Sequence, residues 1–153
     1  MPSKRLKEYL DKNKVKYISI QHSPAYTSPE IAAQSHIPGR ILAKTVMVKI
    51  EGRMAMVVLP TNRKVILSEL KEALDAEKVT LASEDEFKEM FPDCEIGAMP
   101  PFGNLYGMDV YISPELTAEQ EIVFNAGTHT ELIKMAYKDF ERLVQPKVIR
   151  FST

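Results

Sequence analysis

Lys44 in LAKTVMVK, the segment EIGAMPPFGNLYG at 95–107 and NAGTHTE at 125–131 hold the chemically useful groups of this chain. The middle segment packs three glycines and two adjacent prolines into thirteen residues. Proline fixes its own backbone angle and has no N–H, while glycine admits positive φ and close approach of another molecule. Such a segment serves as a plain turn or as a rigid wall that aims backbone N–H groups at a ligand, and residue types alone leave both readings standing. None of the three stretches offers an obvious nucleophile. An enzyme whose nucleophile is water, or a group on its own substrate, has this profile. Its site supplies positioning and oriented donors, and losing one such donor costs about 2.7–4 kcal/mol of barrier stabilisation.

Other chemistries fail on spacing. PGRILAKT at 38–45 ends like a phosphate-binding loop, but Pro38 and Ala43 stand where that loop needs glycine, and a strand follows where it needs a helix. His22, His36, His129 and Cys94 lack zinc-ligand spacing, and H-E-x-x-H and C-x-x-C are both missing. There is no G-x-S-x-G elbow. Cys94 as a nucleophile would want a polarising partner, and beside Phe91 and Ile96 it reads better as a small half-buried residue.

Composition sets the class. With 153 residues, 44% hydrophobic and 27% charged, the chain suits one globular domain, residues 1–153, that buries a real core. No apolar run is long enough to cross a membrane, MPSKRLKEYL lacks the features of a secretory signal, and the single cysteine cannot form an internal disulfide. Together these point to a reducing cytoplasm. The net charge of −1 excludes a general nucleic-acid magnet, although Lys4, Arg5, Lys7, Lys12, Lys14 and Lys16 cluster near the start. That cluster is either a solvated amphipathic helix or a face that touches a few phosphates.

Periodicity places these residues on elements. Leu6, Tyr9 and Leu10 predict a helix over Ser3–Asn13, and Val15–Ile20 is extended. Ser28-Pro29-Glu30 starts a short helix that ends near His36 before Pro38-Gly39. Lys44–Ile50 and Arg53–Leu59 are strands joined by the two-residue turn Glu51-Gly52. A helix runs from Ser68 to about Ala76, Lys78–Ala82 is extended, and Ser83 with Glu86 forms a capping box for a helix ending near Phe91. Met108–Ile112, Glu121–Asn125 and Glu131–Ala136 read as strands, and Lys138–Val144 as a last helix. Met47, Met54 and Met56 belong in the core. Hairpins mixed with short helices predict an α+β fold with a largely antiparallel or mixed sheet.

Taken in order, Lys44, the Gly97-to-Pro101 loop, Gly127-Thr128-His129 and HSPAYTSPE at 22–30 make the chain resemble the YbaK family, across nearly its whole length. This is the editing domain that bacterial prolyl-tRNA synthetases carry as an insertion and that also occurs free-standing. The resemblance implies a mixed, mostly antiparallel, barrel-like sheet flanked by short helices. It implies hydrolysis of an amino acid wrongly esterified to the 3′ end of a tRNA, typically alanine or cysteine on tRNA-Pro. No metal or organic cofactor is implied. The implied partners are aminoacyl-tRNA and prolyl-tRNA synthetase, with neither DNA nor membrane. Carried over residue by residue, Lys44 holds the terminal adenosine and phosphate region, and the Gly97 N–H faces the ester carbonyl. Pro101 shapes the loop, and Gly127 and His129 line the aminoacyl pocket.

Blander roles remain beside these. Lys44 is otherwise an exposed strand lysine, and Gly97 and Pro101 otherwise plain turn residues. His129 is a pocket wall or a general base. His22 is structural or a pocket edge, His36 a surface residue, and Thr27 a ligand contact or a helix cap. A non-catalytic binder of aminoacyl-tRNA or synthetase, and a hydrolase of another small acyl ester, are the competing functions.

Overall fold

The computed structural model describes residues 4–22 and 37–153. The expected helix between Ser28 and His36 lies outside the described residues, and Thr27 with it. The first helix, α1 (Lys4–Lys12), buries Leu6 and Leu10, one turn apart on the same face. Three of its cations already have partners. Lys4 pairs with Glu8 at 3.9 Å, and Lys7 reaches Glu131 at 2.6 Å. The Arg5 guanidinium lies 4.8 Å from the Tyr106 ring centre and donates to the Leu105 carbonyl. Lys12, Lys14 and Lys16 are exposed.

Two sheets follow. The smaller is antiparallel throughout, in the order β1 (Tyr17–Gln21), β7 (Glu131–Ala136), β6 (Glu121–Asn125). The larger has the order β4 (Val79–Leu81), β2 (Ala43–Ile50), β3 (Arg53–Pro60), β5 (Asp109–Ile112), β8 (Lys147–Val148). The β2–β3 hairpin turns at Glu51 and Gly52, both with positive φ, 50° and 84°. That pair is the two-residue turn whose twist matches the strands. Pairing of β3 with β5 and of β5 with β8 is parallel, so the long excursion between residues 60 and 109 is a crossover. It carries the Leu67–Ala73 helix, β4, the capping-box helix Glu84–Phe87 and the glycine/proline loop. Ser83 N–H donates to Glu86 Oε1 at 2.8 Å, as that box requires. A one-turn helix at Pro114–Thr117 was not legible in the sequence, and the final helix, Tyr137–Val144, starts one residue early.

The sheets meet at a parallel bridge between Leu42 and Val123, where Val123 N–H donates to the Ile41 carbonyl at 2.9 Å. The expected α+β architecture is present, and among the described residues it is two joined sheets that do not close into a barrel. Alternation then sorts side chains by face. Met47, Met56, Ile122, Phe124, Ile133 and Phe102 enter the main core, while Leu42, Val123 and Leu132 form a separate cluster on the other face. Phe102 is fully buried, with Phe140 at 5.3 Å, Phe124 at 5.5 Å and Tyr9 at 6.3 Å between ring centres. It pins the glycine/proline loop into the core. Phe102→Ala should therefore lower the unfolding free energy by about 3–5 kcal/mol, read from the shift in a urea melt.

Candidate active site

Two loops clasp one another through their main chains. Glu95 N–H donates to the Gly127 carbonyl at 2.8 Å, and Gly127 N–H donates to the Ala98 carbonyl at 2.9 Å. His129 Nε2 lies 2.9 Å from the Ile96 carbonyl, and the His129 backbone N–H is 3.3 Å from Glu95 Oε1. A carbonyl only accepts, so Nε2 is the protonated nitrogen. His129 is 7% exposed, and here its ring is a strut under the loop. The reciprocal pair requires unusual backbone at both glycines, with φ of 88° at Gly97 and 96° at Gly127. A methyl at Gly97 would sit 3.4 Å from His129 Cε1, an ordinary contact, so strain and not crowding makes glycine necessary there.

Among the described residues, the Gly97 N–H is held only by the thioether of Met99, at 3.2 Å. Sulfur of this kind is a weak acceptor that a charged oxygen readily displaces. Pro100 and Pro101 behind it are buried. The loop lip is thus stiff, and its one inviting donor is weakly occupied.

Strand pairing places two more of the predicted residues. His22 N–H donates to the Thr130 carbonyl at 2.9 Å, beside His129. Lys44 follows Leu42 by one pleat and Asn125 follows Val123 by one pleat. Because the Leu42–Val123 bridge is parallel, both continue in the same direction; Asn125 pairs with Leu132 of the Leu42–Val123–Leu132 cluster, while Lys44 pairs with Leu59 of a second cluster. Two residues beyond Asn125 lies Gly127. The loops that carry Gly97, Gly127, His129 and His22 are therefore joined by hydrogen bonds, and Lys44 stands two residues past the bridge at the sheet corner. Thr27 lies outside the described residues. Lys44 is half-buried and forms no ion pair with any described residue. Burial lowers its pKa, and the like charge of Lys64 lowers it further.

Cys94 is not an activated thiol. Burial, more than any neighbour, pushes it up to about 11, and its sulfur lies 3.4 Å from the Tyr106 hydroxyl. Among the described residues, no three or more His, Cys, Asp or Glu side chains are grouped to hold a metal ion, and no helix is long and apolar enough to cross a membrane. Two contributors lie at the starts of the segments singled out above but have no role assigned there. Glu95 is a partner in the clasp, and Asn125 is a polar residue on the same strand face as buried Val123. Only the second carries a readable signal, a break in the apolar pattern of EIVFN.

Residues 22–143 match the aminoacyl-tRNA editing domain. The chain belongs to that family. It is 29% identical over 127 residues to the multifunctional Ser/Thr-tRNA deacylase ProXp-y of Escherichia coli K12, covering 78% of this chain and 75% of that protein. It is 25% identical over 142 residues to the prolyl-tRNA editing protein ProX of Acetoanaerobium sticklandii, covering 89% and 86%. Its fold matches a solved hypothetical protein with a TM-score of 0.87 at 18% identity, covering 98% of this chain and all of that one. It also matches a structure provisionally named as a trans-editing enzyme for prolyl-tRNA synthetase, with a TM-score of 0.82 at 18% identity, covering 99% and 97%. Gly97→Ala should destabilise this editing domain by about 1–3 kcal/mol through backbone strain, measured by chemical denaturation.

Proposed function

We propose that residues 1–153 act as one free-standing editing domain that deacylates mischarged aminoacyl-tRNA in the cytoplasm. The observation that carries the reading is the weakly occupied Gly97 N–H on a lip held by two reciprocal main-chain bonds. Water attacks the ester carbonyl carbon, and the Gly97 N–H steadies the developing oxyanion in place of the Met99 sulfur. The bond to the ribose oxygen then breaks, that oxygen takes up the proton, and free amino acid and tRNA leave. The ester is already activated, so the chain needs no nucleophile of its own. The neighbouring ribose hydroxyl helps position the water.

Lys44 serves as the point charge for the terminal phosphate and adenosine, a role favoured by its having no ion pair among the described residues. Pro101 keeps the lip rigid, Gly127 and His129 wall the aminoacyl group, and His22 and Thr27 stand at its edge. A second sieve of this kind is useful because one methylene is worth only about 1–3 kcal/mol in a synthetase pocket. Alanine or cysteine on tRNA-Pro is the substrate the family resemblance suggests, with prolyl-tRNA synthetase as a working partner. The relative named for Ser/Thr-tRNA suggests hydroxyl-bearing amino acids as the second candidate.

The test is loss of ester from a panel of mischarged tRNAs. Lys44→Ala should lower kcat/KM by about 10²-fold while leaving the thermal melt in place, and full retained rate would refute the assigned site. Binding of charged tRNA without ester loss would favour a non-catalytic module instead. The pH dependence has a definite sign. A lysine is charged below its pKa, and that of Lys44 is lowered, first by burial and then by Lys64. KM for tRNA should therefore rise with pH before an ordinary lysine would titrate. Lys64→Ala removes the like charge and should move the midpoint of that rise to higher pH.

A further inference from the structure

We propose that Asn125 is the specificity residue of this site, its carboxamide hydrogen-bonding the side-chain hydroxyl of a serine or threonine esterified to tRNA. The proposal rests on the deacylase reading above and names its substrate class.

Asn125 ends β6, whose alternation is strict. Ile122 and Phe124 face the main core, and Val123 faces the cluster with Leu42 and Leu132. Asn125 shares the Val123 face and is paired in register with Leu132. An amide there borders the apolar cluster that Ile20 also packs against, and beyond Val123 the same face turns charged, with Glu121 paired to Lys134. Its Oδ1 is buried and has no hydrogen-bond partner among the described residues. A buried polar atom in that condition costs about 1–3 kcal/mol, and chains keep such a group where a ligand or an ordered water completes it.

Its position says which ligand. Gly127 of the clasp lies two residues on, and Lys44 lies one pleat beyond Leu42 on the adjoining chain. The nucleotide end of the substrate stays with the lysine, so the part that reaches the apolar floor is the tip of the amino-acid side chain. An α-ammonium there would have to leave water for leucine, valine and isoleucine beside a neutral amide, with the Lys134 cation farther along the same face, which is strongly unfavourable. A hydroxyl is neutral, and it both donates and accepts, so it satisfies the carboxamide in either rotation. The methyl of alanine leaves the amide unmet, and a thiol meets it only weakly. A site built to bind a substrate hydroxyl discriminates strongly against the analogue without it, whereas the extra methyl of threonine is tolerated.

The experiment uses the purified full chain with one tRNA charged in turn with serine, threonine, alanine and cysteine. Wild-type kcat/KM for the serine and threonine esters should exceed that for alanine by about 10²-fold or more. In Asn125→Ala the serine-to-alanine ratio should fall by about 10²-fold. Asn125→Leu, which keeps the volume and completes the apolar floor, should show the same collapse with an undiminished thermal melt, so that a folding defect cannot mimic the result. An unchanged ratio in both variants, or an equal fall across all four esters, would overturn the proposal. So would a wild-type preference for alanine over serine. A wild-type protein that hydrolyses none of the four would instead refute the deacylase reading beneath it.

Discussion

The clasp between the Glu95–Ala98 segment and the Gly127–His129 turn is the constraint on which the site depends. Two main-chain bonds run in opposite directions between the loops, and the His129 ring adds a third bond to the Ile96 carbonyl. Neither loop belongs to a strand ladder at this point, so each would otherwise have unsatisfied backbone groups at the end of the smaller sheet. Holding them together forces positive φ at Gly97 and Gly127, and with that geometry the Gly97 N–H is met, among the described residues, only by a thioether. Stiffness comes from behind, where Phe102 is locked among Phe124, Phe140 and Tyr9.

The turn itself is anchored from the opposite side. Glu131 begins β7, is 6% exposed, and accepts from Ser19 on β1 and from Lys7 on α1. Its own carbonyl receives the Ala126 N–H at 3.0 Å. A cation of the basic N-terminal helix is therefore committed to holding the turn, and Arg5 is committed to Tyr106 and Leu105. The later lysines of that stretch, Lys12, Lys14 and Lys16, are exposed and outside any ion pair among the described residues. Half of the six cations at the start of the chain thus have partners within it, and in the proposed function the electrostatic work of the site falls to Lys44 at the sheet corner.

What the sequence made legible was local, and what it hid was long-range. Strand and helix periods, the Glu51-Gly52 turn and the Ser83–Glu86 capping box all arise from neighbours within a few residues, and all appear close to where they were expected. The parallel pairing of β3 with β5 and the Leu42–Val123 bridge arise from contacts across dozens of residues, which no local pattern encodes. For the site, the glycine and proline types announced a stiff loop, but residue types could not say that its partner was the Gly127–His129 turn. Equally, histidine chemistry suggested a base at His129, and only the neighbouring carbonyl shows Nε2 acting as a donor. Asn125 was visible only as a flaw in an apolar strand, because an unmet amide becomes evident once its surroundings are known.

The most direct measurement of the central claim is the amide resonance of Gly97 during titration with a non-hydrolysable 3′-aminoacyl-adenosine analogue. Exchange of the Met99 sulfur for the analogue's carbonyl oxygen should strengthen that hydrogen bond and move the Gly97 proton downfield in step with saturation. Saturable binding that shifts other amides and leaves Gly97 in place would contradict a catalytic role for the lip.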